Sequence, residues 1–155
     1  TRLKKLEAGE FDGIMLAAAG LKRLGLEERI TETLSQDLCL PAVGQGAIGI
    51  ECVTDNQPVL EIISVLNHEE TATRVAAERA FNARLNGGCQ APIAGYAELT
   101  EKGLWVRGLV GDLESGEIIS HEVWGDPQEA QNLGVELAEN LLSRGADAIL
   151  KKIYG

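Results

Sequence analysis

Tyr96-Ala97-Glu98-Leu99, then Leu104-Trp105-Val106-Arg107-Gly108-Leu109-Val110, then Ile118-Ile119-Ser120-His121-Glu122-Val123 decide the fold of this 155-residue chain. Each run alternates apolar with polar or small side chains, the period-two pattern of a strand with one buried face. Glu101-Lys102-Gly103 and Glu114-Ser115-Gly116 between them supply turn residues, so the three runs predict an antiparallel meander. Upstream, Ala77, Phe81 and Leu85 recur at helical spacing, and Asn86-Gly87-Gly88 ends that helix. Asn67, with Glu70 three residues on, reads as its capping box. Downstream, Asp126-Pro127-Gln128-Glu129 is a helix start, Ala130, Leu133, Leu137 and Leu141 its buried face, and Gly145 its stop. A last short helix spans Ala146 to Ile153. Residues 67–155 therefore read as a small α+β domain: a three-stranded antiparallel sheet with helices.

The N-terminal third has a different character. Arg2 to Ala8 reads as a helix with Gly9 just past its end. Gly13-Ile14-Met15-Leu16-Ala17-Ala18-Ala19 and Ala47-Ile48-Gly49-Ile50 are apolar runs punctuated by glycine, the pattern of strands buried on both faces of a parallel sheet. Gly20 opens a short helix, Leu21 to Leu24, which carries Lys22 and Arg23. Strand, glycine and a basic helix start is a layout in which α/β proteins bind anions. Pro58 to Leu66 predicts one more short helix. Two doubly buried strands and a helix end cannot cover their own apolar faces, so this part reads as a fragment of a larger α/β protein.

Composition excludes several classes. At 45% hydrophobic and 25% charged residues the chain is globular in balance, not disordered. No apolar run approaches the ~18 residues of a membrane span, and nothing resembles a signal peptide. The net charge of −10 argues against a nucleic-acid binder. Acidity is concentrated after residue 110, where nine Asp and Glu face three Lys and Arg, whereas six of the eight arginines precede residue 85. A cationic pocket would have to be built from that first part. Cys39, Cys52 and Cys89 are too few for a disulfide framework and lack zinc-site spacing, so no metal is expected and a reducing, cytoplasmic setting is the default.

Two loops stand out. Gly44-Gln45-Gly46 lets backbone approach a ligand while an amide projects into it, or is simply a tight turn. Cys89 follows Gly87-Gly88 and precedes Gln90-Ala91-Pro92. Near a helix C-terminus a thiol is poorly activated, and neither His68 nor His121 lies close in sequence. Such a thiol suits a permanent attachment, or else packs as a small apolar group.

Glu78-Arg79-Ala80-Phe81-Asn82-Ala83-Arg84-Leu85-Asn86-Gly87-Gly88-Cys89-Gln90-Ala91-Pro92-Ile93-Ala94 resembles the signature of the porphobilinogen deaminase (hydroxymethylbilane synthase) family. Thr1-Arg2-Leu3, Leu16 to Gly25 and Pro41 to Ala47 resemble further family motifs in order. The resemblance covers the whole chain and the C-terminal portion of the family. It implies an α/β fragment of a two-lobed, periplasmic-binding-protein-like fold: residues 1–40 as the end of domain 2, and 41–64 as a crossover returning to domain 1. Residues 67–155 would then be a cofactor-carrying domain 3. It further implies a monomeric transferase of haem and tetrapyrrole biosynthesis, whose partner piece is an N-terminal half of the same protein. That enzyme joins four porphobilinogen molecules head to tail, with loss of ammonia, onto a dipyrromethane primer held by a cysteine thioether, then releases hydroxymethylbilane by hydrolysis.

By the same resemblance Cys89 is the tether, and Arg2, Ala17, Gly20, Arg23, Gln45 and Gly46 contact the pyrrole chain. Arg79 either contacts it or pairs with Glu78 or another acid. A six-ring chain carries about twelve carboxylates, whose repulsion demands fixed cations, and arginine is suited to that. Arg29 is expected in a surface ion pair, and Arg74, Arg84 and Arg107 on solvated faces. The family's catalytic aspartate matches no acid in this chain, so no catalytic residue is assigned and the chain alone is expected to be inactive. A non-catalytic ligand-binding module, or an interaction domain with a structural Cys89, are the rival readings; both predict an unmodified chain.

Overall fold

A computed structural model describes residues 1–88 and 90–154. The chain divides into two compact units, Thr1–Ser35 and Gln36–Gly155.

In the second unit the predicted meander forms. Strands β1 (Ile93–Thr100), β2 (Gly103–Gly111) and β3 (Ile118–Gly125) pair antiparallel in the order β1-β2-β3. Alternation decides the faces: Ala97, Leu104, Val106, Val110 and Val123 are buried, while Tyr96, Trp105, Arg107, Glu122 and Trp124 alternate to the other side. Helix α4 (Glu69–Arg84) packs on β1 and helix α5 (Ala130–Leu141) on β2 and β3. Ala77, Phe81 and Leu85 of α4 and Ala130, Leu133, Leu137 and Leu141 of α5 are buried, as their spacing predicts. Three further helices precede α4: α1 (Arg2–Glu7), α2 (Ala18–Arg23) and α3 (Gln57–Ser64). Gly145, at φ 106°, kinks the chain between α5 and α6 (Asp147–Tyr154).

Glycine sets the intimacy of this core. Gly95 of β1 and Gly108 of β2 are register partners, and the Phe81 ring lies on both. A Cβ at Gly95 would sit 2.9 Å from the ring and one at Gly108 2.5 Å from it. At Gly134 a Cβ would strike the carbonyl oxygen of Ala77, so α5 approaches the backbone of α4 only because no side chain intervenes.

Several expectations need correction. The runs 13–19 and 47–50 are not strands. Residues 13–17 and 47–50 have no sheet pairing, and Ala18 and Ala19 belong to α2. Met15 is 66% and Ile48 91% exposed. A continuous apolar run becomes a strand only when a neighbouring strand takes up its backbone hydrogen bonds, and no strand among the described residues pairs with either run. Helix α2 begins at Ala18, with Ala17 as N-cap, so Gly20 lies inside it and does not open it. The cap of α4 is His68, not Asn67: its Nδ1 accepts from the Thr71 N–H at 3.3 Å and lies 2.9 Å from Thr71 Oγ1. An imidazole nitrogen one residue later fills the role assigned to the amide.

Arg74 and Arg107 are not on solvated faces. The Arg107 side chain is only 13% exposed. Its guanidinium lies 3.9 Å from the Trp105 ring centroid and 5.7 Å from that of Tyr96. Its Nη1 meets Asp37 at 2.6 Å and its Nη2 lies 3.7 Å from Glu98. Arg74 donates to the Ala97 carbonyl and the Tyr96 hydroxyl, both at 2.7 Å, and stacks over the Tyr96 ring. Trp105 stacks on Trp124 with centroids 4.9 Å apart. Aromatic neighbours give each planar guanidinium a face to lie on, which is why these arginines are drawn in. Arg84 behaves as expected, pairing with Glu139 across the surface.

Candidate functional site

The signature stretch, 78–94, is read best one helical turn at a time. Glu78, Phe81, Asn82 and Leu85 fall on one side of α4. Phe81 and Leu85 enter the core; Glu78 and Asn82 each hold a loop.

Glu78 is 5% exposed. Its Oε2 accepts from the Gly44 N–H at 2.7 Å and its Oε1 from the Ala97 N–H at 2.9 Å. Both oxygens are turned to backbone, and Arg79 is exposed and has no ion pair among the described residues. Glu78 thus ties the segment before the Gly44-Gln45-Gly46 turn to β1. Two further anchors act nearby: the Gly95 N–H donates to the Pro41 carbonyl at 3.0 Å, and Val43 packs against the core. The turn itself, closed by Gln45 N–H to Ala42 and Ala47 N–H to Gly44, has Gly44 at φ 71° and Gly46 at φ 87°. These are left-handed conformations that favour glycine, so the spacing of the two glycines has a conformational cause. Gln45 and Gly46 are exposed, and the Gly46 N–H has no partner among the described residues.

Asn82 serves the other loop. Its Nδ2 donates to the Gly87 carbonyl at 3.1 Å while the Gly87 N–H donates to the Asn82 carbonyl at 2.9 Å. Asn86 takes φ 54°, the left-handed residue that ends the helix. Beyond the loop, the Ala91 N–H donates to Gly88 at 3.0 Å and the Gly111 N–H to Pro92 at 2.9 Å. Backbone on both sides of position 89 is therefore fixed to α4 and β2. Cys89 itself, the residue on which the tether expectation falls, lies outside the described residues.

The remaining expected site residues lie in the unit Thr1–Ser35. Arg2, on α1, lines a groove with Thr1, Lys5, Phe11, Gly13, Ile14 and Met15. Ala17, Gly20 and Arg23 do not line that groove; they belong to the cap and body of α2. Arg29 pairs with Glu7 at 2.7 Å, an acid on α1 and not its sequence neighbours. Among the described residues Arg2 and Arg23 have no ion pair, whereas Arg29, Arg74, Arg84 and Arg107 each meet an acid. Lys22 lies 4.0 Å from Glu27. Sequence reasoning missed the loop-holding roles of Glu78 and Asn82. The signal was present as two polar residues on the buried side of a helix, at i and i+4. No three His, Cys, Asp or Glu among the described residues gather as a metal site, and no helix there is long and apolar enough to cross a membrane.

Comparison with known families gives two matches in chain order. Residues 1–61 match a model described as porphobilinogen deaminase, dipyromethane cofactor binding domain, and residues 72–143 match porphobilinogen deaminase, C-terminal domain. Together they define a transferase of tetrapyrrole biosynthesis. The chain belongs to the porphobilinogen deaminase family, spanning the end of the dipyrromethane cofactor-binding domain plus the C-terminal domain.

Proposed function

We propose that this chain supplies the primer tether and part of the carboxylate cradle of a hydroxymethylbilane synthase acting on porphobilinogen. The observation that carries the reading is the division among its arginines. Among the described residues Arg2, Arg23, Arg79 and Arg144 have no acid partner, and the first three are the ones that fall in the family motifs; the Gly46 N–H has no partner among the described residues either. Cations free of internal acids are what a ligand rich in acetate and propionate groups requires, and each unit offers such a cation, Arg2 and Arg23 in the first and Arg79 in the second, which is the chemistry a dipyrromethane calls for.

Cys89 Sγ would hold that group by a thioether. Arg2 and Arg23 would offset its carboxylates, with Arg79 as a third cation, and Ala17, Gly20, Gln45 and Gly46 would approach it through backbone and amide. When bound, the dipyrromethane supplies the pyrrole carbon onto which four porphobilinogen units are added. The chain's own task is binding and orientation: guanidinium groups lower the repulsion that each added ring brings, and the loop is braced at Gly87 and Pro92 on either side of the attachment position. The thiol forms its bond once and keeps it, so it needs no nearby histidine base.

Residues 1–40 are assigned to the end of domain 2, 41–64 to the crossover toward domain 1 and 67–155 to domain 3. The apolar segments 13–17 and 47–50, which have no sheet pairing, fit sheet neighbours supplied by an N-terminal half, which would also bring the catalytic aspartate. Residues 1–155 alone should therefore show no porphobilinogen turnover.

Intact-mass analysis of the complete protein tests the reading. A covalent adduct on a Cys89 peptide, lost in Cys89→Ser, is expected. An unmodified wild-type Cys89 in active protein would refute it and favour the ligand-binding rival.

A further inference from the structure

We infer that Glu78 is a positioning residue, through which α4 fixes the Gly44-Gln45-Gly46 turn relative to the loop that carries Cys89. The inference rests on the cofactor reading above and goes beyond it in naming how two contacts to one ligand are kept in register. Glu78 and Asn82 stand one helical turn apart on α4. The first holds Gly44 at 2.7 Å and the second holds Gly87 at 3.1 Å. The helix between them is locked by Phe81, which is fully buried on Gly95 and Gly108. The turn is anchored at its base by Pro41, Val43 and Gly44, and exposed at its tip, where Gln45 and Gly46 lie. A buried carboxyl group with both oxygens taken by backbone N–H groups, 19 and 34 residues distant in sequence, is costly to place unless every partner is kept. Its effect is that the turn cannot shift without breaking a bond to the same helix that braces the cysteine loop. The turn and the Gly87 end of the loop thus hang on one helix, and space for a lengthening chain has to be found elsewhere.

Glu78→Gln is the direct test, in the complete protein carrying its cofactor. The amide keeps one acceptor and turns a donor toward the other N–H. Hydrogen exchange across 42–47 should quicken about tenfold or more while 103–111 stays protected. Intact mass should still show the adduct on Cys89. The kcat/KM for porphobilinogen should fall by about 10- to 100-fold, the scale of a misplaced contact. Adding Gln45→Ala should then cost less than about twofold more, because both changes act through one turn. Should Glu78→Gln fail to fold, Glu78→Asp keeps the charge but shortens the reach, and the same faster exchange and non-additivity are expected of it. Unchanged exchange at 42–47, or losses that simply multiply in the double variant, would overturn the positioning role while an adduct on wild-type Cys89 leaves the tether standing. A bare wild-type Cys89 would bring down both.

Discussion

Gly13 to Ala19 and Gly103 to Gly111 are both largely apolar and begin with glycine, yet only the second becomes a strand. β2 has β1 and β3 bonded to either edge and α5 across one face. The earlier run has no strand beside it among the described residues and leaves Met15 66% exposed. Hydrophobicity therefore states a demand for burial, and only neighbours that take up the backbone groups turn the demand into a strand. The region from α4 onward brings its neighbours with it, whereas the opening region does not.

The largest test of that contrast is Phe81→Ala. Emptying the seat on Gly95 and Gly108 should destabilise the second unit by about 3–5 kcal/mol, read as a lower midpoint in chemical denaturation. Gly134→Ala, which drives a methyl group into the Ala77 carbonyl, should cost about 1–3 kcal/mol by forcing α5 off α4. A smaller effect is expected in acid. Asp112 is held well below the ordinary carboxylate range, first by its bond to Lys152 at 2.7 Å and then by the Glu114 N–H. A depressed folded value gives stability that is complete above the unfolded pKa of about 4 and is lost as pH falls through the folded one. Stability measured from pH 6 downward should fall, and Asp112→Asn should flatten that fall. Smallest of all, Ile48→Asp should change the denaturation midpoint of the second unit by no more than about 0.5 kcal/mol, since Ile48 is 91% exposed. A large loss there would show that residue 48 has the burial its sequence suggests.

The meander, the buried faces of α4 and α5 and the turn at Gly44-Gln45-Gly46 were legible because each follows from local periodicity or from a conformation that glycine favours. The Arg107 stack was not, because a guanidinium's surroundings depend on which aromatic residues the register brings opposite it: Tyr96 from β1 and, through Trp105, Trp124 from β3. The sequence offers Glu78 only as one acid that Arg79 could pair with, beside a contact of Arg79 to the pyrrole chain. The real partners of Glu78 are the N–H groups of Gly44 and, on β1, of Ala97, and no local pattern encodes them. Of the candidate site, residue types and their order could be read in advance; what holds them needed the fold.

One consequence of the stacked indoles is optical. The chain has two tryptophans, and both are in the pair with an interplanar angle of 10° on the sheet face away from the helices. Near-ultraviolet dichroism from their coupled transitions, and the tryptophan emission, will report chiefly on the meander. Residues 1–35 contain no tryptophan, so an aromatic label introduced there is needed to watch the two regions separately.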